Sequence, residues 1–280
     1  MTTDTTQALA RRKIVIFLAL TVVLVGFAYI PVIQAGTLDA LGGMAVYLVM
    51  WAPGVAGMLT QLITERRLAG MGWRIRTVPL LALALVLPAL YALPVYMPVW
   101  LSGLATFDAA GWSASAGGIA PLKALGLLLS VGILISLTSA LGEEIGWRGL
   151  LVPELAKLGS FRFVAVVSGL IWTLYHVPLI VMADYRGVGT PLWYSLLCFF
   201  PMVMGLSVVM AWLRLKSGSL WPPALLHASH NLIVQGVFDP ATRPGPWSGY
   251  LTGEFGIGLV VTIALTAWLL SRRGGIPAAG

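Results

Sequence analysis

Leu141-Gly142-Glu143-Glu144-Ile145-Gly146-Trp147-Arg148-Gly149-Leu150 follows an apolar run that begins near Leu122, and it sets two carboxylates and a guanidinium at the end of that run. Charge inside a bilayer is costly, so an ionisable group there marks a functional site by default. If the segment stays helical at about 100° per residue, Glu144 and Arg148 lie four apart on one face and pair. Glu143 then points about a quarter-turn away, free of that pair. One carboxylate is locked and one is available.

The rest of the chain shows that there is a bilayer to reckon with. Hydrophobic residues make up 59% of the 280, charged residues only 10%, and mean hydropathy is +0.92. A soluble domain carries about 25% charged residues. The composition therefore reads as an all-α integral membrane protein. Eight apolar runs, at about 14–30, 41–63, 78–96, 122–141, 164–182, 192–213, 220–238 and 254–270, each come near the ~20 residues that cross a hydrocarbon core. Pro88, Pro94 and Pro98 are expected to break up the third run. Residues 1–13 read as a cytoplasmic tail, disordered over 1–10. Residues 14–271 form one polytopic membrane domain with its motif core at 118–237, and 272–280 are a second cytoplasmic tail. The first run reads as a span, being long for the apolar part of a cleaved signal.

The net charge of +7 is topology rather than a nucleic-acid footprint. With the N-terminus inside, the basic residues cluster in inside segments, and only Lys123, Arg186 and Arg243 of the 17 fall outside. That split orients the chain with both termini cytoplasmic, in the plasma membrane if the cell is prokaryotic. Trp100, Trp112, Trp193, Tyr194, Trp247 and Tyr250 then read as an interfacial aromatic belt. The single cysteine, Cys198, excludes an intrachain disulfide and reads as a small packing residue. Residues 102–120 read as a mobile loop without chemistry. Gly142-x-x-x-Gly146 permits a close helix approach, expected inside the bundle rather than between chains.

All three histidines, His176, His227 and His230, lie in apolar runs. Pro222 and Pro223 suit the first turn of a helix, which puts His227 and Asn231 four apart on one face. A lone membrane histidine is ordinarily an interhelical hydrogen bond, and His230 is read that way, with a place at the cavity border, three residues from His227, as the alternative. Glu143, Glu144, Arg148, His176, His227 and Asn231, however, come from three spans, and a bundle that gathers them satisfies all of them together. No His-Glu-x-x-His or Gly-x-Ser-x-Gly motif is present, and Ser136, Thr138 and Ser139 read as packing residues. A carboxylate and an imidazole can deprotonate a water, while a second imidazole and a carboxamide can donate to an oxyanion. That set suffices to hydrolyse an amide without a covalent intermediate. The same groups would also serve as the relay of a proton-coupled transporter, or as the pocket of a non-catalytic membrane immunity or scaffold protein. Inverted repeats, which would favour transport, are not evident. By helix rise, His176 lies about 20 Å from Arg162 and His227 about 10 Å from Leu220. Their levels match if the fifth helix begins below the bilayer, with a water-filled cavity opening to the cytoplasm.

Glu143-Glu144-x-x-x-Arg148, an aromatic residue four before His176, and His227-x-x-x-Asn231, in this order on separate spans, resemble the CAAX prenyl protease type II family. That family includes Rce1-like endopeptidases and the bacterial CPBP or abortive-infection-like membrane proteases. The resemblance covers about 118–237, and Trp172 stands where the family usually has Phe. It implies endoproteolysis within the membrane, near the C-terminus of a membrane-anchored substrate that is prenylated in eukaryotic relatives. It implies Glu143 as the water-activating glutamate with His176 as its partner, and His227 and Asn231 as the oxyanion-side pair. Glu144, Arg148 and the aromatic Trp172 take supporting places. Members are often described as metalloproteases, and Glu143, His176 and His227 could hold zinc with an open position. The glutamate-type reading, which needs no cofactor, is favoured. The implied partners are a membrane-anchored peptide or protein and the lipid bilayer, with no nucleic acid; the sequence sets neither the oligomeric state nor the substrate.

Overall fold

Backbone polar groups in a bilayer have no water to bond, so an apolar chain satisfies them within helices. The computed structural model, which describes residues 3–273, is built this way. Helix α1 (Thr3–Ala35) packs on α2 (Met44–Glu65), the chain turning between them through Gly42 and Gly43 at positive φ. α3 (Val78–Leu101) follows, with Pro79 in its first turn where the missing N–H is harmless. A short strand β1 (Thr106–Phe107) and α4 (Ala109–Ser115) lead to a long rod, Pro121–Ala156. That rod is α5 (Pro121–Leu127), a π-helical turn (Leu128–Gly132), α6 (Ile133–Glu144), a second π stretch (Ile145–Leu151) and α7 (Val152–Ala156). α8 (Phe161–Met182) and α9 (Leu192–Ser217) come next. α10 (Trp221–His230) then runs on as a π stretch (Asn231–Phe238) before β2 (Thr242–Arg243), α11 (Ser248–Leu251) and α12 (Ile257–Arg273).

Among the described residues, six rods are long and apolar enough to cross a membrane: 4–35, 44–65, 78–101, 121–156, 161–182 and 192–217. The remaining two apolar runs are the rod formed by α10 with its π extension, and the shorter α12. The chain is thus an all-α multi-pass membrane protein. α9 is the most enclosed rod, packed by α8 and α12, while α2 packs on α1 and α6.

The α2–α6 contact is where the small residues matter. A Cβ on Gly142 would meet the Met50 carbonyl at 2.8 Å, and one on Gly146 the Pro53 carbonyl oxygen at 2.4 Å. A Cβ on Gly54 would lie 2.3 Å from the Gly142 carbonyl. The glycine spacing therefore works inside the bundle, as expected from the sequence. Pro53 has no N–H for the Val49 carbonyl, and the Tyr175 hydroxyl of α8 donates to that carbonyl instead.

Several local expectations change. Of the expected disordered N-terminus, 1–2 lies outside the described residues, and from Thr3 the chain is helical: α1 passes through residue 13 unbroken. Lys13 is fully buried, and its ammonium bonds Gln61 Oε1 and Glu154 Oε1 at 3.1 Å each, and also Glu65. A buried ammonium persists only when so paired, so the cluster holds the helix together at that end. Of the expected C-terminal tail, 274–280 lies outside the described residues. α3 is continuous despite Pro88, Pro94 and Pro98. The 102–120 segment is built: β1 pairs antiparallel with β2, Asp108 Oδ1 caps α4 by accepting from Gly111 N at 2.8 Å, and Arg243 bonds Asp108 at 2.7 Å. Trp112 is buried there rather than lying in a belt, whereas Trp193 and Trp247 are exposed.

Candidate active site

The α6 end and its π continuation carry the three charges inward. Glu143, Glu144 and Arg148 are 2%, 0% and 1% exposed, a depth at which each needs a partner. Arg148 Nη1 donates to Glu144 Oε1 at 2.7 Å, the i,i+4 pair that the spacing called for. His227 Nδ1 meets the same oxygen at 3.0 Å. Glu144 Oε2 and Arg148 Nε and Nη2 have no protein partner, although the guanidinium lies 4.2 Å from the centre of the Trp172 ring.

Glu143 is clear of that pair but not loose. Its Oε2 accepts from Trp147 Nε1 at 3.0 Å and from Trp172 Nε1 at 2.7 Å. His176, one turn beyond Trp172 on α8, places Nδ1 2.8 Å from the Trp172 carbonyl. A carbonyl only accepts, so Nδ1 carries the hydrogen, and in the neutral ring Nε2 is left as a lone pair. The Asn231 carboxamide has no partner among the described residues.

Glu143, Trp172, His176, His227 and Asn231 line one cavity of about 120 Å³. At about 10–15 Å³ of such space per water, it holds several. The structure thus brings together the residues singled out by the sequence, with Glu144 and Arg148 packed behind them. His176 and Glu143 share the cavity without a direct hydrogen bond, and His227 is tied to Glu144.

α10 starts recessed: Ser219 and Leu220 are fully buried, Leu220 N donates to the Gly72 carbonyl at 2.8 Å, and Trp221 Nε1 donates to the Trp73 carbonyl at 2.6 Å. The 66–77 connection covers that end. The lining continues to Leu38, Tyr185 and Glu254, in the connections at the end opposite Arg66, Arg67, Arg74 and Arg76. A second cavity of about 330 Å³ shares Leu38, Tyr185, Gln235 and Glu254 and extends among those loops.

His230 makes the interhelical bonds it was read for, to Tyr91 through Nδ1 (2.6 Å) and to Glu254 through Nε2 (3.0 Å), and it also borders the cavity; what sequence reasoning missed in that wall is Gln235 and Glu254. Glu254 also accepts from Tyr185 (2.8 Å) and Gln235 (2.9 Å). Gln235 continues the four-residue spacing of His227 and Asn231, a signal available in the sequence. Glu254, 24 residues beyond His230, has no local signal. A zinc ion would need three converging donors, but no group of three His, Cys, Asp or Glu among the described residues is placed to hold a metal.

Residues 125–233 match the family model described as Type II CAAX prenyl endopeptidase Rce1-like. Over 147 residues the chain is 26% identical to CAAX prenyl protease 2 of Methanococcus maripaludis, a stretch covering 51% of this chain and 49% of that protein. The chain therefore spans about half the length of the curated relative it matches. The family resemblance read from the motif spacing is borne out over the segment that contains Glu143, His176, His227 and Asn231.

Proposed function

We propose that this chain is an intramembrane endopeptidase of the CAAX-processing type, cutting a peptide bond near the C-terminus of a membrane-anchored substrate. The observation that carries the reading is the convergence of Glu143, His176, His227 and Asn231, from three rods, on one cavity with room for water. A water between Glu143 Oε1 and His176 Nε2 meets two acceptors, and loss of its proton to them makes it the nucleophile. It attacks the scissile carbonyl carbon, and the carbonyl oxygen becomes an oxyanion. The Asn231 amide N–H and, when His227 is protonated, its Nε2–H are the donors for that charge. Glu144 on Nδ1 holds the His227 ring with Nε2 left for the cavity. Collapse breaks the C–N bond, and the proton taken from water goes to the leaving amine. No step is routed through a metal, because the carboxylate, the two imidazoles and the carboxamide supply the base and the oxyanion donors between them. Full activity after exhaustive chelation is expected; loss of activity with rescue by zinc would overturn the metal-free reading.

Substrate enters from the loop end, where the second cavity adjoins the first. Comparative peptidomics of membranes from cells carrying the wild type or Glu143→Ala tests the assignment. C-terminal fragments should appear only with the wild type. Identical fragment sets, or a defect in uptake or proton flux instead, would refute it.

A further inference from the structure

Two indoles meet one carboxylate oxygen. Trp147 and Trp172 both donate to Glu143 Oε2, at 3.0 and 2.7 Å, while Oε1 takes no hydrogen bond from any described residue. We propose that Trp147 and Trp172 are positioning residues, a two-indole clamp that fixes Oε2 and presents Oε1 alone to the cavity water. The catalytic half of this inference rests on the endopeptidase reading.

Indole suits the task because its N–H donates and never accepts. It cannot compete with Glu143 as acid or base, and its apolar body keeps water from Oε2. A carboxylate held at one oxygen has its plane fixed, and reacting groups lose rate steeply when misplaced by ångströms. The clamp rings are themselves held. Trp147 lies edge-on to Phe17 and Tyr175, with centroids at 5.5 and 5.3 Å. Trp172 has the Arg148 guanidinium 4.2 Å from its ring centre and the rings of His176 and His227 at 5.9 and 5.5 Å. Trp147 comes from the π stretch that follows Glu143 and Trp172 from α8, so the clamp spans two rods.

A buried indole needs some acceptor, and that need alone would not select a carboxylate. Trp51, Trp73 and Trp221 satisfy it on the backbone carbonyls of Thr138, Leu68 and Trp73, and Trp100 on the Thr242 hydroxyl. Trp147 and Trp172 instead converge on the group the mechanism needs. Phe at 172, which the family resemblance leads one to expect, would fill the wall and remove one of the two donors.

The test uses the full chain in lipid nanodiscs with two readouts. In ¹⁵N-indole NMR, the Nε1–H resonances lost in Trp147→Phe and in Trp172→Phe identify the two rings. Glu143→Gln, which keeps the shape and removes the charged acceptor, should move both. If only one moves, or neither, the clamp is overturned, and this holds whatever the protein cleaves. With a farnesylated peptide ending in a CAAX tetrapeptide as probe, each Trp→Phe should lower kcat about tenfold and leave KM unchanged. A raised KM with unchanged kcat would make the indoles binding residues and overturn their positioning role. If the wild type releases nothing from any membrane-anchored peptide, the endopeptidase reading falls and the indole shifts alone decide the clamp.

Discussion

Gly146→Ala tests the link between helix packing and the site. The added methyl carbon would sit 2.4 Å from the Pro53 carbonyl oxygen, 2.6 Å from its carbon and 2.7 Å from the Pro53 ring. Ordinary non-bonded separation is about 3.5 Å, so α2 and the 121–156 rod must part by roughly 1 Å. The obstacle is backbone and a rigid ring, so no side chain can swing aside. Overpacking of this kind costs about 1–3 kcal/mol, and at this size about 2–4 °C in unfolding midpoint per kcal/mol. Glu143 lies three residues before Gly146 on the same rod, and His176 lies on α8. A displacement of that size between reacting groups costs up to about 10²-fold in rate. Activity should therefore fall by more than stability does. Gly126→Ala is the control, because a Cβ there meets nothing within 4 Å, and it should be neutral or slightly stabilising. Thermal unfolding by intrinsic fluorescence, with peptide cleavage on the same samples, gives both numbers. A Gly146→Ala protein with wild-type midpoint and wild-type rate would refute the close contact and the rigid coupling drawn from it.

Arg148→Met leaves Glu144 buried with only His227 and should cost about 3–5 kcal/mol of stability; the Arg148→Met, Glu144→Gln double variant should recover much of that, as measured by denaturation of the two proteins side by side. Burial, with the nearby Glu254 charge adding to it, pushes the Asp239 carboxyl in the loop after the α10 rod up to about 7, against the bond from Tyr96. A carboxyl raised in the folded state stabilises it at low pH, so the wild type should lose stability relative to Asp239→Asn as pH rises from about 4 to about 7; a pH-independent difference would contradict this. For orientation, single cysteines at Val188 and Ile75, both exposed at opposite ends, should label differently in a Cys198→Ser background. An impermeant maleimide should reach Val188→Cys in intact cells and Ile75→Cys only after permeabilisation; the reverse pattern would place the cavity mouth on the cytoplasmic side.

What could be read in the sequence was local. The Glu144–Arg148 pair follows from a four-residue spacing, the proline pair from the start of α10, and the glycine pair from the need for close approach. Each is set within a turn or two of helix. What escaped depends on distant partners or on departures from ordinary helix geometry. Lys13 finds Glu154 141 residues away, and His230 finds Glu254 in a connection whose course no periodicity reveals. Trp172 read only as a supporting aromatic and Trp147 was not singled out, because composition does not say where an indole N–H points. The π stretches at Ile145–Leu151 and Asn231–Phe238 carry no repeat that a 3.6-residue reading detects, yet both occur where site residues are presented. The bond that ties the start of α10 to the Gly72 carbonyl was equally hidden, since the length of the run says nothing of it.

The most direct measurement is cleavage of the farnesylated peptide probe in H₂¹⁸O by the purified wild type and by Glu143→Gln, followed by mass spectrometry of both products. The account predicts an unlabelled C-terminal peptide from the wild type, ¹⁸O in the new carboxyl group of the farnesylated product, and a rate at least about 10²-fold lower for Glu143→Gln. Equal release by the two proteins would contradict the claim that Glu143 activates the attacking water.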